Sequence, residues 1–177
     1  MILEDGECAF PELLQPGTSA VLLGVDPDVQ GALAMLRWRN AGALAGATPL
    51  QLVSAAEVEV HDMPIENWKL GKRHKKHPDA VALDGLLRTL SGGAGAAVVR
   101  AAVEYTTPQH LSGKHAWYGI GFSSGVLGGV MVAQGLPFQR VNAGAWKRQM
   151  GLLKQGKEGS LALAAQLFPE LAKRDLK

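Results

Sequence analysis

The chain has 177 residues, 47% of them hydrophobic and 19% charged, which fits one folded domain and excludes a disordered tail. Its net charge of +2 is too small to identify a nucleic-acid partner, and its single cysteine, Cys8, excludes both an intramolecular disulfide and a cysteine zinc site. No run reads as the ~20 apolar residues of a bilayer span, and the acidic N-terminus lacks a secretory or transit pattern, so a soluble protein with no membrane partner is expected.

In chain order, residues 1–19 contain Pro11, Pro16 and Gly17 and read as a flexible lead-in, leaving residues 20–177 as the domain. Ala20 to Val25 is a short apolar run of the buried-strand kind. Gly31 to Trp38 gives a second strand and Val58 to Met63 a third, close enough in sequence for an antiparallel meander. The Arg39 to Pro49 connection is glycine-rich and reads as a loop. A dense basic run follows, Lys69-Leu70-Gly71-Lys72-Arg73-His74-Lys75-Lys76-His77. Pro78 suits a first helical turn, after which Ala80, Leu83, Leu86, Leu87 and Leu90 recur at helical spacing until Ser91-Gly92-Gly93. Ala97 to Tyr105 is another strand, Trp117 to Gln134 a longer helix and Pro137 to Val141 a fifth strand. Ala145 to Met150 and Gly159 to Leu167 read as short helices. Three strands, then helix, strand, helix, strand and helix, make a mixed α/β domain.

Two carboxylates stand where strands end. Leu23-Gly24-Val25-Asp26-Pro27-Asp28 closes the first strand, and Gly31 lets the chain turn back. Asp-Pro is also an ordinary turn. Ala101-Ala102-Val103-Glu104-Tyr105 closes the fourth strand, and a carboxylate there near the sheet needs a compensating charge, from a metal or from a surface ion pair. Carboxylate oxygens at neighbouring strand ends suit a hard divalent cation.

Gly24-Val25-Asp26-Pro27 and Ala102-Val103-Glu104-Tyr105 resemble the first two active-site motifs of RuvC-type Holliday-junction resolvases, and more closely those of the monokaryotic chloroplast resolvases. Ala116 to Phe122, Ala145-Trp146-Lys147-Arg148, and Lys157 through Leu167-Phe168-Pro169 extend the resemblance over roughly residues 21–177. It implies a ribonuclease-H-like fold, a mixed five-stranded sheet flanked by helices. It also implies a homodimer, Mg2+ or Mn2+ as cofactor, a chloroplast location, and a crossover junction endodeoxyribonuclease making paired symmetric cuts in four-way junction DNA. Asp26 and Glu104 would be the catalytic metal ligands. Lys157 matches a lysine near the scissile phosphate, where a side chain that ordinarily stays protonated would stabilise charge rather than take a proton. The resemblance puts the remaining carboxylates on a final helix beyond Phe168-Pro169, and this chain ends at Lys173-Arg174-Asp175-Leu176-Lys177. Neither Asp175, Asp28 nor Glu158 matches them. The expectation is therefore a domain truncated before its last helix, with a junction-binding module that does not cut as the alternative.

For DNA binding, Trp117, Tyr118 and Phe122 offer aromatic faces for stacking, and Gly119 and Gly121 allow close backbone approach. Core packing is the other use for these aromatics. Lys72, Arg73, Lys75 and Lys76 in the basic run, with Lys147 and Arg148, are candidate phosphate contacts that position DNA without reading sequence. Gly121, Gly125 and Gly129 form a small-residue helix face suited to packing against a second helix, within the chain or across a dimer.

Overall fold

The computed structural model describes residues 18–71, 73–92, 98–105 and 113–171. Along the chain run β1 (Ala20–Val25), β2 (Ala32–Trp38), a 3-10 turn (Ala41–Leu44), α1 (Pro49–Ser54), β3 (Glu57–Asp62), β4 (Ile65–Leu70) and β5 (Arg73–Pro78). They are followed by α2 (Ala80–Gly92), β6 (Val98–Tyr105), α3 (Lys114–Ala133), β7 (Phe138–Asn142), α4 (Ala143–Gln149) and α5 (Gly156–Leu167). Residues 1–17 of the expected lead-in, together with Lys72, Gly93 and the chain end at 172–177, lie outside the described residues.

The main sheet has the order β3-β2-β1-β6-β7. The first three strands form the expected antiparallel meander, while β6 joins β1, and β7 joins β6, in parallel. This is the mixed five-stranded sheet flanked by helices that the motifs implied. Its central strand reads AVLLGV because it is covered on both faces. Val21, Leu23 and Val25 point to one face and join Leu33, Met35, Ala101 and Val103 in the main core. Leu83, Leu87 and Leu90 of α2, and Leu127 and Met131 of α3, close that core at helical spacing. Ala20 and Leu22 point to the other face and pack with Trp38, Ala41, Leu36 and Val98 in a smaller cluster.

Three sequence readings change. The basic run, to which the sequence assigned no element, forms most of an antiparallel β4–β5 hairpin, a separate two-stranded sheet. Pro78 accordingly ends β5, a position where a strand tolerates a missing N–H, and Asp79 caps α2 by accepting N–H bonds from Val81 and Ala82, both at 3.0 Å. The Arg39–Pro49 connection holds the 3-10 turn and the start of α1, whose Thr48 and Gln51 form a reciprocal capping box. Finally, α3 is long and apolar enough by length and composition to cross a membrane. Here its Ser123–Leu127–Met131 stripe is buried within the domain.

Candidate carboxylate site and nucleic-acid interface

Asp26 follows Val25, the last paired residue of β1, and Val25 lies opposite Val103 of β6. Glu104 comes next on β6, so the two carboxylates leave adjacent parallel strands at one level, where strands stand about 4.8 Å apart. Alternation along β6 sets Glu104 on the face opposite Val103.

The turn after β1 is built around Asp26. Its N–H still bonds Ala32 O across the hairpin at 3.0 Å, and its Oδ1 accepts the Asp28 N–H at 3.1 Å. Gly31 donates to Asp28 O at 2.8 Å and is buried. A Cβ on Gly31 would overlap the Asp26 carbonyl oxygen and stand 2.9 Å from Asp26 Cγ, so the turn requires glycine for space. The Asp26 side chain itself is exposed.

Glu104 is half-buried, and Trp146 Nε1 donates to its Oε2 at 2.9 Å across 42 residues of sequence. Trp146 reaches it because β7 lies beside β6 and Asn142, the last residue of β7, caps α4 by accepting from Gly144 and Ala145. The bond occupies one oxygen and is one of the contacts that orient the carboxylate. Motif reading had assigned the neighbouring Lys147 and Arg148 and given Trp146 no role. Lys147 Nζ instead sits 5.4 Å from the Trp146 ring centroid.

Among the described residues no group of three or more His, Cys, Asp or Glu side chains could hold a metal ion. Two carboxylates fit the kind of site in which Mg2+ or Mn2+ takes one or two protein oxygens and completes its shell with phosphate and water. They do not fit a closed all-protein cage.

The remaining candidates are dispersed. Lys157 is exposed in the first turn of α5, and among the described residues no hydrogen bond or ion pair ties it to either carboxylate. Arg148 is exposed at the end of α4. Trp117 and Tyr118 are 52% and 49% exposed at the start of α3, beside Gly119 and Gly121, while Phe122 is half-buried. Phe122 packs edge-on against Trp68 and His77 and Tyr118 stacks on Phe122, so these two aromatics pack while Trp117 does not join them. Lys75 Nζ lies 4.6 Å from the Tyr118 ring centroid, and Lys76 is exposed on β5. Lys72 lies outside the described residues, and of Arg73 only the backbone is described. Two cavities of about 60 and 260 Å3 lie below the usual range for a small-molecule pocket.

No family model and no curated protein matches the sequence. Solved structures of similar fold include two from Thermus thermophilus. The Thermus thermophilus RuvC in complex with a Holliday junction substrate shares 13% identity over 73% of this chain and 68% of that one, with a TM-score of 0.42. A second Thermus thermophilus RuvC structure shares 11% over 69% and 63%, with a TM-score of 0.37. The chain thus spans about two thirds of the length of each.

Proposed function

We propose that this chain is a structure-selective endonuclease that resolves four-way DNA junctions by paired, metal-dependent phosphodiester hydrolysis. The observation that carries the reading is the placement of Asp26 and Glu104 at one level of adjacent parallel strands, with Glu104 oriented by Trp146. The five ordered motifs that resemble RuvC-type resolvases support it, and by that resemblance the chain acts as a homodimer in the chloroplast.

Asp26 and Glu104 would hold Mg2+ or Mn2+, which when bound activates water and stabilises charge on the attacking and departing oxygens. Asp26, exposed and braced by its turn, presents its free oxygen toward the substrate side. Glu104 supplies a second oxygen in an orientation that Trp146 helps to set. Lys157 contributes a positive charge to the scissile phosphate, and Trp117 offers an exposed face to unstacked bases. Two copies match a junction that presents two related scissile phosphates.

A second reading, junction binding without cutting, is favoured by the absence, among the described residues, of any group of three or more His, Cys, Asp or Glu side chains that could hold a metal ion. Labelled four-way junction and matched linear duplex, incubated with Mg2+ or Mn2+ and scored separately for binding and cleavage, distinguish the two. The nuclease reading expects paired symmetric cuts in the junction. It also expects Glu104→Gln to keep junction binding while cutting more than ~100-fold slower, beyond the loss typical of an outer-shell change. Selective binding with no cuts supports the binding module. Equal treatment of junction and duplex rejects both.

A further inference from the structure

The β4–β5 hairpin carries different chemistry on its two faces. Cross-strand pairing sets Asn67 opposite Lys76 and Lys69 opposite His74, and alternation puts these four on one face. All four are exposed. The face they form holds no carboxylate, and among the described residues neither Lys69 nor Lys76 enters an ion pair. The intervening pairs, Trp68 with Lys75 and Glu66 with His77, take the other face.

That second face meets α3. The rings of Trp68 and His77 are 4.4 Å apart, Phe122 lies 5.4 Å from the first and 4.7 Å from the second, and Tyr118 stacks on Phe122 at 5.8 Å. His77 is only 2% exposed. A lone two-stranded ribbon is marginal in water, so this aromatic dock is what holds it in place. Lys75 belongs to the dock, with its ammonium directed at the Tyr118 face.

We propose that the outward face of the hairpin, Lys69, Lys76, His74 and Asn67, binds the phosphate backbone of a duplex DNA arm, while Lys75 is a strut rather than a phosphate contact. Its side chains are donors on a pre-positioned ribbon, with no acid to repel phosphate. Such contacts are sequence-independent and add to affinity through counterion release. This inference takes its partner from the proposed function but not the cleavage chemistry.

The test is the salt dependence of binding to a four-way junction and to linear duplex, for the full chain and three variants. K69T/K76T keeps strand-compatible side chains on an exposed face and should unfold at the wild-type temperature. Its slope of log affinity against log salt should be shallower than wild type by about 2 on both DNAs, roughly one for each phosphate contact removed. K69R/K76R should retain the slope. Lys75→Met should leave it unchanged. Wild-type slope in K69T/K76T, alongside preserved junction preference, overturns the surface and leaves the resolvase reading standing. A shallower slope in K69T/K76T without any junction preference in the wild type sustains the surface and removes the resolvase reading. A slope reduced by about one in Lys75→Met overturns its role as a strut.

Discussion

Gly31 shows how narrowly one residue can constrain a site. A methyl group there has no space beside the Asp26 carbonyl, and the hydrogen bonds on either side hold the turn closed. Gly31→Ala should therefore destabilise the fold by about 1–3 kcal/mol, as overpacking does. It should also displace Asp26 enough to lower Mn2+ affinity, which denaturant melts and calorimetric titration would read separately. Trp146→Phe keeps the ring and removes only the N–H donated to Glu104. Loss of an outer-shell partner typically costs 10- to 100-fold in metal affinity, and that is the weakening expected, with the unfolding midpoint little changed. An unchanged affinity in Trp146→Phe would show that the bond does not orient the carboxylate. The two carboxylates were legible in the sequence because each follows an apolar run that ends abruptly. The Trp146 contact was not, since no local pattern announces a bond spanning 42 residues.

The hairpin was the element hardest to read. Lysine and histidine are not strong strand formers, and the charge run hides the alternation that separates Lys75 and His77 from His74 and Lys76. Only docking against Tyr118 and Phe122, about forty positions later in the chain, makes these residues a ribbon. The helices were plainer, because Leu83, Leu87 and Leu90 repeat at a spacing that survives any context. Between α2 and α3, Gln134 donates to Asp84 O at 2.9 Å and to its Oδ1 at 2.8 Å, and Arg88 bonds the same carboxylate. The Arg88 hydrogen bonds foremost, and then Gln134, hold the Asp84 carboxyl below its usual range. Its contribution to stability is therefore full above the ordinary carboxylate range and is lost as the pH falls through the lowered value. Asp84→Asn should flatten that part of the acid unfolding profile, measured as urea midpoint against pH. An identical profile would show that the link carries no pH-dependent stability.

Across the whole molecule, the antiparallel meander of the first three strands was legible in their apolar runs, while the order in which β6 and β7 join them was not. The tight turn at residues 26–31 pairs β1 with β2, residues 39–56 return the chain to β3 through the 3-10 turn and α1, and α2 and α3 permit the parallel returns to β6 and β7. The core is correspondingly concentrated: Leu87→Ala, at a fully buried position between α2 and the sheet, should cost about 2–5 kcal/mol by denaturant unfolding. The small-residue face of α3 had two expected uses, and among the described residues nothing packs closely against it. Gly121, Gly125 and Gly129 are exposed, and a Cβ at each would meet nothing within 4 Å. If Asp26 and Glu104 form one metal site, their substitutions must be non-additive. Mn2+ binding should be titrated calorimetrically with a four-way junction present, for wild type, D26N, E104Q and the double variant. Each single substitution should remove most of the binding and the double should lose little more, since both ligands serve one ion. Wild-type Mn2+ affinity in either single variant would contradict the assignment.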